Sequence, residues 1–149
     1  MSRITSSILL CLLLLVSTII YAPGLHGFFV LDDLSSIVNN PSIHITRLDW
    51  ESLRQATLAE TAGPLGRPLS ALSFALNHLA AGLDPWLYKA TNLLIHLLNG
   101  LLLWLLLGHL LTHLPDTTNH RPSPAETRTL TLLVTAAWLL HPINLTGVL

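Results

Sequence analysis

Two adjacent carboxylates, Asp32 and Asp33, directly follow the apolar patch Phe28 to Leu31 in the stretch FFVLDDLSSIVNNP. A carboxylate so placed can act as a general base toward a hydroxyl nucleophile, an effect worth typically about 10²–10⁴-fold in rate. The ordinary alternative is helix capping plus solvation of a loop. Neighbouring residues in a helix or strand do not point the same way. We therefore expect one acid, Asp32, to carry the chemistry and the other, Asp33, to cap the short helix that Leu34, Ile37 and Val38 begin. Arg67 and Lys89 could offset negative charge on a phosphate, and His96 and His141 could donate hydrogen bonds to it. Asn92, His96 and Asn99, spaced four and three apart, share one helix face that Lys89 extends by a turn. In a membrane such a stripe can equally be interhelical hydrogen-bonding glue. No H-E-x-x-H, close Cys/His spacing, glycine-rich phosphate loop or G-x-S-x-G elbow occurs, so no metal and no cofactor is expected. The single cysteine, Cys11, can form neither an intrachain disulfide nor a cysteine-based metal site. The N-x-[ST] match at Asn144 lies close to the membrane and reads as chance.

The elements that must position these residues are mostly apolar. Of 149 residues, 51% are hydrophobic and 10% charged, whereas soluble domains carry about 25% charged residues. The apolar residues cluster in blocks, which points to an all-α, polytopic membrane helical bundle. Seven basic against eight acidic residues, with no basic stripe, exclude a nucleic-acid partner. Three spans are expected, over residues 4–22, 86–111 and 129–149, with a long, partly helical loop over 23–85. The first lacks an A-x-A-like cleavage site and is read as an uncleaved span rather than a signal peptide. Trp86 and Tyr88 at the start of the second suit an interfacial aromatic belt.

Arg3 and the connector residues Arg121 and Arg128 place the N-terminus and the connector in the cytoplasm by the positive-inside rule. The long loop is then extracytoplasmic, and His141 lies on the same side as Asp32 and Asp33. Within the loop, Thr46 and Asp49 have capping-box spacing ahead of a helix from Trp50. Leu69, Leu72, Leu76 and Leu79 form one stripe of a helix opened by Pro68, expected to lie in the membrane interface or on the bundle.

Taken in order, FVLDDLSSIVNNP, GRPLSALSFALNHLAAGLDPWLYKATNLLIHLLNGLL and AAWLLHPINLTGVL resemble the N-terminal part of polytopic GT-C glycosyltransferases. The nearest likeness is to the tetratricopeptide-repeat-containing O-mannosyltransferase-like proteins and their bacterial relatives. The matching positions are Asp32 and Asp33, Arg67 to Leu69, Asn92 to His96, and His141 to Ile143; where the animal pattern continues through a Glu, this chain has Thr146. The resemblance implies a sugar carried on polyprenyl phosphate and a protein or glycan acceptor. It also implies transfer outside the cytoplasm from an integral, multi-pass protein of a membrane, here a bacterial inner membrane. Three spans without the repeats are too few to enclose the usual donor cavity. A truncated chain, inactive alone, is therefore expected, with a non-enzymatic membrane scaffold of the same architecture as the alternative.

Overall fold

The computed structural model describes residues 2–58, 67–113 and 122–149. Arg121, used above to orient the chain, lies outside the described residues. Most of those residues are helical, and none forms a strand. The helices are α1 (Arg3–Tyr21), α2 (Trp50–Leu58), α3 (Pro68–Ala81), α4 (Pro85–His113), α5 (Pro124–Leu139) and α6 (Leu145–Val148). Two stretches are long and apolar enough to cross a membrane, Arg3–His26 with 24 residues and Pro85–His113 with 29. A third crossing is available if the pair Pro124–Leu139 and Pro142–Val148, bent by 46°, counts as one span. The protein is thus an all-α membrane helical bundle with two to three candidate spans. The chain divides into two compact units, one of residues 1–24 and 91–149, the other Leu25–Ala90.

In the first unit α1 packs against α5. The buried residues of α5 are Thr127, Thr131, Thr135 and Leu139, one every fourth position, and those of α1 are Ser6, Leu10, Ser17 and Tyr21. Small hydroxyl residues let helix backbones approach closely where lipid provides no hydrophobic drive. Ser17 Oγ further donates to the Leu13 carbonyl at 2.9 Å, so its polar atom is satisfied within its own helix. A complete capping box starts α5: Ser123 Oγ accepts from Glu126 N at 3.3 Å, and Ser123 N donates to Glu126 Oε2 at 2.7 Å. The helix therefore begins at Pro124, five residues before the block that composition alone marks as apolar.

Its end has an equally local cause. Pro142 has no N–H to continue the ladder, so the Trp138 carbonyl accepts instead from His141 N at 3.3 Å and from Asn144 Nδ2 at 2.6 Å. The Leu139 carbonyl would take Ile143 N in a continuous helix, but Ile143 N donates to His141 Nδ1 at 3.2 Å. His96 Nε2 of α4 meets that orphaned Leu139 carbonyl at 3.0 Å.

The second unit has its own core of Ile37, Ile43, Ile45, Ala56, Ala71, Ala75 and Tyr88, flanked by Phe29, Leu53, Phe74 and Leu79. The loop expected over 23–85 thus contains a packed unit. Helix α2 is capped by Asp49, whose carboxylate accepts from Ser52 N at 2.9 Å. Thr46 lies three residues too early to serve. The helix from Pro68 ends at Ala81 and, at 14 residues, reaches only about 21 Å, too short for a roughly 30 Å hydrocarbon core. Its buried residues are Ala71, Ala75 and Asn77, and of the leucine stripe Leu79 packs beside the core while Leu69 and Leu76 are 81% and 43% exposed. Small residues allow α3 to sit close on α2. His78 stacks on His44 at 4.4 Å and 15°, and the rings reach the Ile45 and Ile37 carbonyls at 3.3 and 2.8 Å.

Candidate functional site

The acidic turn is built in the second unit by a reversal at Leu31, the one non-glycine residue with positive φ (50°) among those described. A leucine in this left-handed region is strained by about 1–2 kcal/mol and persists only where its surroundings hold it. Asp33 N donates to the Val30 carbonyl at 3.0 Å and Leu34 N to the Leu31 carbonyl at 3.2 Å. Asp33 Oδ2 accepts from Val30 N at 3.2 Å.

The expected cap at Asp33 is therefore corrected. Its backbone is already helical, at φ −61° and ψ −33°, and its side chain caps no helix N–H. An N-cap needs extended backbone to aim its oxygen forward; this carboxylate instead folds back and ties the turn. The short helix that follows is a π-turn, Leu34–Val38, closed by Asn39 N on the Leu34 carbonyl at 2.8 Å. Asp32 stands apart from its neighbour. It is exposed, its carbonyl accepts from Ser35 Oγ at 3.0 Å, and its carboxylate joins no hydrogen bond or ion pair among the described residues.

Two residues at the start of α4 anchor this turn. Lys89 is only 5% exposed, and its Nζ donates to the Phe28 carbonyl at 3.1 Å. A buried ammonium is tolerable only with such partners. Lys89 thereby ties the start of α4 to the segment that leads into Asp32. Phe29 meets Tyr88 edge to face, with ring centroids 5.4 Å apart. The Tyr88 hydroxyl donates to the Gly82 carbonyl at 2.9 Å. Tyr88 is fully buried, so the expected aromatic belt at this end is reduced to Trp86, which is exposed. Period and composition gave Tyr88 no core signal; its pairing with Phe29 bridges 59 positions of sequence and exists only in the fold.

The other expected residues have these surroundings. Arg67 is exposed at the start of α3, where its carbonyl accepts from Ala71 N at 2.9 Å and its side chain makes no capping bond. His96 lies in the first unit, buried, stacked on Trp138 at 4.7 Å and beside Tyr21 at 5.4 Å, with Nε2 on the Leu139 carbonyl. It performs the interhelical hydrogen bonding that polar residues in spans commonly supply. Asn99, on the same predicted face, is exposed. His141 is exposed in the first unit, with Nδ1 accepting from Ile143 N.

Gly100, one turn beyond His96, was not singled out by spacing. A Cβ there would lie 2.5 Å from Leu139 Cδ2. The threonine seam of α5 was legible as T-x-x-x-T-x-x-x-T-x-x-x-L, a signal that hydropathy alone obscures. Outside the spans, Asp49 has its carboxyl held below the ordinary aspartate value, chiefly by the Ser52 backbone N–H, with the Ser52 side chain and the Arg47 charge adding to it. No cluster of three or more His, Cys, Asp or Glu suited to a metal occurs among the described residues.

These features define an integral membrane protein of all-α class that carries an anchored acidic turn outside its candidate spans. Comparison with known proteins adds a relationship. The chain is 36% identical over 93 residues to Protein O-mannosyl-transferase TMTC1 of Mus musculus, a match covering 58% of this chain and 10% of the relative. It is 33% identical over 82 residues to Protein O-mannosyl-transferase TMTC2 of Mus musculus, covering 52% of this chain and 10% of that protein. A segment of 30 residues, 20% of this chain, is 60% identical to Protein O-mannosyl-transferase tmtc2 of Xenopus laevis, of which it covers 4%. The chain spans about a tenth of the length of the mouse relatives it matches. No protein-family model matches it, and no solved structure does.

Proposed function

We propose that this chain supplies the acidic turn of a membrane glycosyltransferase-like protein that transfers mannose to a hydroxyl of a protein or glycan acceptor. The observation that carries this reading is the contrast within the acid pair. Asp33 is spent on the Val30 N–H, while Asp32 presents an uncommitted carboxylate on a strained turn held by Lys89 and Tyr88. The names of the matched relatives support the reaction class. In this reading the donor is mannose on polyprenyl phosphate. The acceptor oxygen forms a bond to the anomeric carbon while the bond from that carbon to the phosphate oxygen breaks. The hydroxyl proton passes to Asp32, and the lipid phosphate leaves with the bonding electron pair, its charge met by Arg67. Transfer on the extracytoplasmic side, in a bacterial inner membrane, belongs to the same proposal.

The test is a hybrid in which this chain's matching segment replaces that of the mouse TMTC1 relative, assayed with polyprenyl-phosphate mannose and a protein acceptor. Asp32→Asn should lower transfer by about 10²–10⁴-fold, with membrane insertion unchanged. Asp33→Asn should lose far less, because the amide oxygen still accepts from Val30 N. Equal activity of all three hybrids removes Asp32 from the chemistry, and a loss confined to Asp33→Asn reverses the assignment.

A further inference from the structure

The first unit contains a cleft of about 520 Å³ between α1, α4 and α5, lined by Arg3, Ser7, Trp104, Gly108, Arg128 and Thr131 among others. We propose that this cleft binds the phosphate headgroup of an anionic membrane phospholipid.

Charge is the first argument. Arg3 and Arg128 both line the cleft, and among the described residues of this unit Glu126 is the only acid. The Glu126 carboxylate closes the capping box on Ser123 N at 2.7 Å. Helices α1 and α5, of 19 and 16 residues, both begin at this cleft, with Arg3 in the first turn of one and Pro124 in the first turn of the other. Their N-terminal dipole ends add positive potential to that of the guanidinium groups. A site so charged favours an anion.

Hydrogen-bonding capacity is the second argument. The lining hydroxyls are largely occupied as donors: Ser6 Oγ donates to the Ser2 carbonyl at 3.1 Å, Ser7 Oγ to the Arg3 carbonyl at 3.2 Å, and Thr131 Oγ1 to the Arg128 carbonyl at 3.0 Å. Anion recognition in the cleft is therefore left to guanidinium donors, which present up to five N–H groups each in a fork that matches phosphate oxygens.

Position and polarity identify the source of the phosphate. Arg3 is the first residue of one candidate span and Thr112, which also lines the cleft, is the last but one of the other. The cleft therefore lies at the level where a bilayer's headgroups begin. Trp104, Leu105 and Pro124 give it apolar walls, which suit a glycerol backbone and acyl chain and offer nothing to a free, fully hydrated ion. Basic pockets between spans bind anionic headgroups in this way.

The test uses the whole chain purified in detergent and mixed with phosphatidylglycerol, phosphatidylcholine, a polyprenyl phosphate or inorganic phosphate, with retained lipid read by native mass spectrometry. Phosphatidylglycerol should be retained in preference to phosphatidylcholine. Each guanidinium near the surface contributes roughly a fivefold affinity gain, so Arg3→Gln with Arg128→Gln should weaken retention by about 25-fold. The paired lysine variant should keep most of it. Equal retention of the two phospholipids, unchanged retention in the glutamine pair, displacement by millimolar inorganic phosphate, or selective capture of the polyprenyl phosphate would each overturn the proposal. If the glutamine pair loses helicity, the wild-type lipid preference and the lysine pair decide the matter by themselves.

Discussion

Replacing Gly100 by alanine tests a close approach of α4 and α5 in the first unit. The added Cβ would stand 2.5 Å from Leu139 Cδ2, 2.8 Å from its Cγ and 3.0 Å from its Cδ1, and Leu139 is completely buried. Carbon atoms rest at about 3.5–4.0 Å, so α5 must retreat by about 1 Å or Leu139 must leave its rotamer. Overpacking of this kind costs about 1–3 kcal/mol. Alanine's better helix propensity returns up to about 1 kcal/mol. The net expectation is a bundle destabilised by about 1–2 kcal/mol. The retreat also stretches the His96 to Leu139 carbonyl bond, now 3.0 Å, which lies one turn away on the same face. Unfolding of the purified chain in mixed micelles, followed through the fluorescence of Trp104 and Trp138, measures the loss. Leu139→Ala should remove most of the penalty when combined with Gly100→Ala, so the double-mutant cycle should show strong coupling. A Gly100→Ala chain that is stabilised, with no coupling to Leu139, would mean that α4 and α5 are not in contact at this point.

Two further predictions concern the second unit. The Asp49 carboxyl is lowered in the folded chain, so the stability it lends α2 is complete above the ordinary aspartate value and is lost as pH falls through the lowered one. An acid titration of helicity should show this loss, and Asp49→Asn, which retains a capping oxygen, should flatten that part of the curve. Salt should change it little, because the Ser52 N–H outweighs the Arg47 charge. A cysteine at the exposed Gln55 position, in a Cys11→Ala background, should react with a membrane-impermeant thiol reagent in intact cells; reaction only after lysis would reverse the proposed orientation.

The long helices were legible in the sequence because their information is local. Apolar blocks too long for a soluble chain, Pro68 at a first turn, and Pro142 after the last apolar block mark where backbone hydrogen bonding can start and must stop, whereas the start of α5 at Pro124 was hidden in a polar stretch that read as connector. The polar residues at 23–85 were readable as short helices but not as a packed unit. That packing depends on Ile37, Ala56, Ala75 and Tyr88, which lie far apart in sequence and show no common period. The acid pair illustrates the same limit. Adjacency established that Asp32 and Asp33 differ in direction, yet which one remained uncommitted followed from the positive φ of Leu31 and the N–H of Val30. Likewise the sequence marked His96 as a polar residue in a span. Its actual partner, the Leu139 carbonyl, becomes available only because a proline three residues further on breaks another helix. Periodicity records which backbone groups a residue can satisfy within its own helix; groups orphaned at a break are matched across space, and that matching is a property of the tertiary structure alone.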